Sequence, residues 1–295
     1  MSERVFLDYD QAELDRQYDQ RAWAPNAVAV IERYGSNSDK VRARLGEPQT
    51  FAYGPTPAET LDVYAAAQPR APIHVFIHGG AWRLLSKRES AFPAENFVAA
   101  GAHFVALDFA LLPHVSLAEM VAQVRCAIAW VYSNAERFGG DRSRLYLSGH
   151  SSGAHLAANV LMTDWDREFK LPQAPIKGAL CISGIYELEP VRLSARNQYL
   201  KLDKHSEHQL SAQRFLRSLG CPVVVGYGEL ESDEFKRQAR EFADGLARTN
   251  NAVRLIEGKG QNHFEVIETL ADADGLFGRI ALAQMGLGRR ADRAS

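Results

Sequence analysis

Cysteine is scarce: Cys126, Cys181 and Cys221 are the only three in 295 residues, far apart and without a C-x-x-C pair. That pattern excludes a disulfide framework and a structural zinc site, and it predicts buried thiols in a reducing compartment. Neither charge is in excess. The 34 Lys and Arg against 36 Asp and Glu leave a formal net charge of −2, too balanced for an electrostatic footprint on nucleic acid or an anionic membrane. No apolar run approaches the ~18 residues of a membrane span. The N-terminus, MSERVFLDYDQAELDRQYDQ, carries charge throughout and lacks the apolar core of a signal peptide. There is no internal repeat, no low-complexity block and no H-E-x-x-H metal constellation. A cytoplasmic protein without metal or cofactor is expected.

What is present is an ordinary globular composition, 46% apolar and 24% charged, which argues against a disordered chain. Residues 1–48 read as a helical cap segment in three stretches, AELDRQY, NAVAVIERYG and SDKVRARLG. Asn37 or Ser38 could cap the third, and Gly46 with Pro48 would end it. This segment is too thin for a core of its own and is expected to lie over the main domain.

Residues 49–285 alternate short apolar runs with helical periods. Strands are expected at Thr50–Tyr53, Leu61–Tyr64, Ile73–Ile77, Phe104–Leu107, Leu145–Leu147, Ala179–Ser183, Val223–Tyr227 and Val253–Ile256. Helices are expected at Ala91–Ala100, Leu117–Phe138, Ala154–Met162, Phe235–Thr249 and Ala271–Gln284. In the clearest of these, Val121, Val124, Ile128 and Val131 recur at helical spacing before Gly139-Gly140. Such alternation predicts an α/β fold, a mostly parallel eight-stranded sheet with helices on both faces. Residues 286–295, a small basic tail, are expected to be flexible.

The strongest chemical signal is Ser148-Gly149-His150-Ser151-Ser152-Gly153, a G-x-S-x-G between an apolar run and a helical run. A nucleophile must stand clear of the sheet on a tight strand-to-helix turn, and glycines two residues to either side remove the side chains that would collide there. The helix that follows turns its N-terminal N–H groups and positive dipole end toward the site. A plain helix N-cap would also account for a serine here, but the glycine spacing selects Ser151 and leaves Ser152 to contribute its backbone N–H.

A second signal is the run Ile73 to Ile77 ending in His78-Gly79-Gly80-Ala81-Trp82. Acyl transfer creates an oxyanion, and its donors must already be aimed. Consecutive glycines let backbone N–H groups approach closely, so Gly79, Gly80 and Ser152 are the expected oxyanion-hole donors. His78 is read as a brace for this loop rather than as a base.

A serine needs a base and the base needs an orienting acid, in the chain order serine, acid, histidine. His263, in the polar loop Gly258-Lys-Gly-Gln-Asn-His263 after the last expected strand, fits the base. His155 would pack under the serine turn, and the pair His205 and His208 lacks further ligands for a metal. The acid should follow the penultimate strand, where Glu229, Glu231, Asp233 and Glu234 crowd together. The spacing from Gly228 points to Glu231, with Ser232 capping the next helix; Asp233 is the alternative, or else a helix-terminal acid.

These residues together resemble the α/β-hydrolases, and within them the serine-dependent arylformamidase (kynurenine formamidase) branch with its HGGxW motif. His78 to Trp82, Ser148 to Leu156, Glu231 to Phe235 with Arg237-Gln238, and Asn262-His263-Phe264 carry the resemblance. Gln17-Tyr18-Asp19-Gln20-Arg21 and Gly184-Ile185-Tyr186 are also similar to that group, and the likeness spans about residues 10–285. Glu231 stands where the family often has aspartate. The resemblance implies that Ser151 attacks a formyl or acyl carbon, His263 serves as base, Glu231 orients it, and no cofactor takes part. It implies an N-formylkynurenine-like substrate, with Tyr18, Trp82 and Tyr186 either gripping its aromatic part or packing in the core. The expected partner is thus a small-molecule formamide, amide or ester; neither nucleic acid nor a membrane is expected, and a homo-oligomer is left open.

Other functions share this machinery: a carboxylesterase of the hormone-sensitive-lipase type, or an amide or lactone hydrolase of a catabolic pathway. A receptor built on the same scaffold would be expected to discard the serine or the histidine, and an aspartate-dependent dehalogenase or epoxide hydrolase would not carry Ser151.

Overall fold

A computed structural model describes residues 3–288. Eight strands form one sheet: β1 (Gln49–Ala52), β2 (Thr60–Tyr64), β3 (Ala71–Ile77), β4 (His103–Leu107), β5 (Gly140–His150), β6 (Ile176–Ile182), β7 (Val223–Gly228) and β8 (Val253–Gly258), in the order β1-β2-β4-β3-β5-β6-β7-β8. The pairs β1–β2 and β2–β4 are antiparallel and every other pair is parallel. All eight expected strands are present, most a few residues longer than their apolar runs.

Alternation along the strands sorts the core into two layers. Ile73, Val75, Ile77, Val105, Leu107, Val223 and Val225 face one side, with the helices Leu117–Asn134, Ser152–Leu161 and Asp233–Arg248. Phe76, Phe104, Leu180, Ile182 and Val224 face the other, with the helices Ala27–Leu45, Ala94–Ala100 and Leu276–Gln284. Both sheet faces are buried, which is why the central strands read as continuous apolar runs. The helix Leu117–Asn134 opens with a full capping box between Ser116 and Glu119. No helix of the described residues is long and apolar enough to cross a membrane.

Two expectations are corrected. The stretches around Ala27–Tyr34 and Asp39–Leu45 are one helix, Ala27–Leu45, with Asn37 and Ser38 inside it rather than capping it. Val30, Tyr34, Ser38 and Val41 bury one unbroken stripe, so packing outweighs the weak helix preference of Gly35-Ser36-Asn37. Cys126 is exposed, whereas Cys181 and Cys221 are buried. The chain between β6 and β7 folds into short helices at Glu189–Leu193, Asn197–Leu200 and Lys204–Leu210. Most of the expected flexible tail, residues 289–295, lies outside the described residues.

Parallel pairing decides where the chemistry gathers. Ile77 pairs with Gly149, so the loop after β3 lies beside the turn after β5. Ile182 pairs with Gly226, and Tyr227 with Glu257, which aligns the ends of β6, β7 and β8. The carboxyl ends of all five strands therefore open on one edge, the usual location of a site in such sheets.

Candidate active site

Ser151 follows β5 directly and begins the helix Ser152–Leu161, with φ 56° and ψ −123°. A non-glycine residue there is strained. A side chain at Gly149 would place Cβ 2.3 Å from Gly153 O, and one at Gly153 would place it 2.2 Å from Ile77 O. Both glycines are therefore steric requirements of the turn. Ser151 N donates to Ile182 O at 2.9 Å, anchoring the turn to the neighbouring strand.

Ser151 Oγ lies 2.9 Å from His263 Nε2. His263 Nδ1 lies 3.3 Å from Glu231 Oε2, and neither atom has a hydrogen-bond partner elsewhere. That separation is longer than a well-aligned N–H···O bond; contacts of this kind tighten as charge develops on the ring. The other carboxylate oxygen of Glu231 is held firmly. Oε1 accepts from Ser183 Oγ at 2.5 Å and from Gly228 N at 2.7 Å, and the carboxylate is almost wholly buried. The Gly228-to-Glu231 turn is closed by Glu231 N donating to Gly228 O at 3.1 Å. The extra methylene of glutamate over aspartate is absorbed because the side chain folds back onto this turn. Asp233, by contrast, has an exposed side chain and lies 4.0 Å from Lys236, at the start of the helix that Ser232 caps.

The loop after β3 wraps Ser151. A side chain at Gly79 would put Cβ 3.1 Å from Ser151 Cβ, and one at Gly80 (φ 104°) would put it 2.0 Å from Leu84 O. The backbone N–H groups of Gly79, Gly80, Ala81 and Ser152 have no acceptor among the described residues. Ala81, with φ 53°, lines the cavity beside Gly80; it is a donor candidate that the glycine argument passed over. His78 Nδ1 is 2.8 Å from Gly79 O, and its ring stacks on Phe109 at 4.4 Å.

Sequence reasoning also missed His150. Its Nε2 lies 2.8 Å from His263 O, and since a carbonyl only accepts, this nitrogen carries the proton. Burial, reinforced by the His263 ring, holds the His150 pKa well below the ordinary value of 6.5. Its place inside the G-x-S-x-G motif was legible; its contact with a loop 113 residues away was not. The same holds for Ser183.

A cavity of about 510 Å³ opens over Ser151 and His263. Its walls come from the N-terminal segment (Tyr18, Gln20), the loop after β3 and the helical chain between β6 and β7, which contributes Arg196 and Tyr199. Of the three aromatic residues expected to grip substrate, only Tyr18 lines it, and its hydroxyl donates to Glu234 Oε1 at 2.9 Å. Trp82 is buried beneath, its Nε1 donating to His155 Nδ1 at 3.3 Å. Tyr186 is buried as well, stacked on Phe242 at 3.9 Å with its hydroxyl 3.3 Å from Cys181 O. Their placement makes both packing residues, because the Trp82 ring is turned onto His155 and the Tyr186 ring onto Phe242, and neither lines the cavity. Tyr34, Tyr199 and Phe264 are the other tyrosine and phenylalanine rings that line it. No cluster of three or more metal-ligating side chains occurs among the described residues.

A mostly parallel eight-stranded sheet with a serine elbow, a donor loop and a Ser–His–Glu array on one edge defines an α/β-hydrolase. A family model described as BD-FAE matches residues 61–180. A solved structure from Silicibacter sp. TM1040 superposes with a TM-score of 0.80 at 24% identity, covering 91% of this chain and 98% of that one, and so shares the fold. Kynurenine formamidase of Danio rerio is 34% identical over 93% of this chain and 96% of its own length. That of Salmo salar is 35% identical over 95% and 98%. The chain belongs to the kynurenine formamidase family and is a hydrolase.

Proposed function

We propose that the protein hydrolyses an N-formyl or N-acyl arylamine amide, N-formylkynurenine or a close analogue, through an acyl-enzyme on Ser151. The observation that carries this reading is the 2.9 Å contact of Ser151 Oγ with His263 Nε2 on the wall of the cavity. Two relatives whose known activity is kynurenine formamidase support the choice of substrate.

His263 takes the Ser151 proton as the oxygen attacks the formyl or acyl carbon. The tetrahedral oxyanion is stabilised by the N–H groups of Gly79, Gly80 and Ser152, joined by Ala81. Glu231 holds the imidazole in the tautomer with Nδ1 protonated and offsets the positive charge of the ring. His263 then protonates the departing arylamine nitrogen, the C–N bond breaks, and water, activated by the same imidazole, releases formate or the carboxylate. An amide is a poorer acyl donor than an aryl ester, so protonation of the leaving nitrogen dominates the barrier. Tyr18, Tyr199 and Phe264 supply aromatic surface for the leaving group. The near-balanced charge and three free thiols support a small-molecule substrate and a cytoplasmic setting.

The test is a panel of formyl, acetyl and ester donors. We expect kcat/KM for N-formylkynurenine to match or exceed that for short p-nitrophenyl esters. Esters faster by orders of magnitude would instead make this a carboxylesterase.

A further inference from the structure

The acid and the base sit at the ends of two different loops, after β7 and after β8. Their 3.3 Å contact depends on how those loops are held relative to each other. Few direct bonds join them: Glu229 N to Gly258 O at 2.9 Å, Leu230 N to Gln261 O at 3.0 Å, and Gly260 N to Glu229 Oε2 at 2.7 Å. A third piece of chain bridges both. Gln20 Nε2 donates to Ser232 Oγ at 2.8 Å, and Ser232 N donates back to Gln20 Oε1 at 3.3 Å. Gln17 Oε1 accepts from Glu234 N at 3.0 Å, and Tyr18 donates to Glu234 Oε1 at 2.9 Å. These bonds seize the residues immediately after Glu231. Further along the same segment, Asn26 Oδ1 accepts from Asn262 Nδ2 at 2.8 Å, while Asn26 Nδ2 donates to Glu265 Oε1 at 2.6 Å. Tyr34 donates its hydroxyl to Phe264 O. Asn262 and Phe264 are the two neighbours of His263.

We propose that the N-terminal segment is a positioning clamp: Gln20, acting through Ser232, and Asn26, acting through Asn262, hold Glu231 and His263 in register. The inference rests on the reading of Glu231 and His263 as acid and base. Neither Gln20 nor Asn26 hydrogen-bonds to a member of that triad. Gln20 and Ser232 are both buried, so their reciprocal pair fixes geometry strongly, since breaking it strands buried polar atoms. Asn26 is exposed and lies outside the cavity lining, so its effect cannot arise from lost substrate contact. The groups facing the His263 ring are Glu231 and, from the serine turn, His150, with Phe235 and Phe264 edge-on.

The experiment uses the full chain carrying Gln20→Met, which keeps the volume, or Asn26→Ala, each alone and combined with Glu231→Gln. Steady-state kinetics are followed with N-formylkynurenine and with p-nitrophenyl acetate. Each single variant should lower kcat about tenfold with KM within about twofold. In the Glu231→Gln background the same changes should cost less than about twofold, the signature of action through that residue. An unchanged kcat, a rise in KM alone, or an equal tenfold loss without the acid overturns the clamp. If Gln20→Met fails to fold, Asn26→Ala decides. A Glu231→Gln enzyme with full activity would sink the triad reading itself, a result distinct from each of these.

Discussion

The imidazole of His150 donates to the backbone carbonyl of His263 at 2.8 Å, with the two rings 4.8 Å apart. The residue just before the serine thereby holds the loop that carries the histidine. This bond crosses from the turn after β5 to the loop after β8, past two intervening strands. It gives the second position of the G-x-S-x-G motif a role of its own. Replacing His150 by Ala should lower kcat by about 10-fold or more, since a mispositioned base loses catalysis steeply. Steady-state kinetics on a variant with unchanged circular dichroism would check this; wild-type kcat would refute it.

The strain at Ser151 separates activity from stability. Ser151→Ala should abolish labelling by a fluorophosphonate probe and remove turnover by about 10⁴-fold or more, with little change in Tm. Ser151→Gly should be equally inactive yet melt about 2 °C higher, because glycine accepts the positive φ at no steric cost. Calorimetry of the two variants side by side measures the difference. An active Ser151→Ala protein would remove the nucleophile assignment.

Glu231 and Asp233 differ in burial and in what they face. Glu231→Gln should cost about 10²- to 10⁴-fold in kcat/KM, and Asp233→Asn less than about twofold. The opposite ranking would transfer the acid role to Asp233. Ser183→Ala, which removes one of the two donors to Glu231 Oε1, should give an intermediate loss.

Three buried histidines make folding sensitive to acid. Burial holds His74 down to about 3 and His155 down to about 4, and His150 lies well below its ordinary value. In the unfolded chain all three take up protons near pH 6.5. The unfolded state then binds more protons than the native one, so stability is intact above that pH and declines below it. Each histidine contributes a slope of about 1.4 kcal/mol per pH unit until its native pKa is reached. Urea unfolding at pH 7, 6 and 5 should show the decline, and His74→Gln should make it shallower. A flat profile would contradict the assignment of these rings as neutral.

Trp82 and Tyr186 lie under the site, not in it. Trp82→Phe should destabilise by about 1–2 kcal/mol, as His155 Nδ1 loses its donor, and leave KM for N-formylkynurenine unchanged. Tyr186→Phe should cost less than about 1 kcal/mol. A severalfold rise in KM in either variant would return that ring to the substrate.

Much of the architecture was legible because it rests on local rules. Apolar runs marked the strands most plainly in the middle of the sheet, since strands buried on both faces, such as β3 and β4, leave no polar alternation to obscure them. Gly149 and Gly153 marked the serine turn, because no side chain fits where their Cβ atoms would lie. The helix Ala27–Leu45 was misdivided because Gly35 to Ser38 have weak helical preference, and the burial of Tyr34, stacked on Phe92, and of Ser38 overrides it. The short helices between β6 and β7 carry little periodicity, so the wall that supplies Arg196 and Tyr199 was not foreseen.

Residue types, spacing and chain order sufficed for the sheet and for the pairing of Ser151 with His263, because turn sterics and proton-transfer chemistry restrict which side chains can stand there. They left open which of four neighbouring acids turns inward, which aromatics reach the cavity, and what holds the loops together. Those answers came from contacts between residues as far apart as Gln20 and Ser232, or His150 and His263. Such contacts are set by how the strands pair and how the N-terminal segment crosses the strand ends, and no local pattern encodes them.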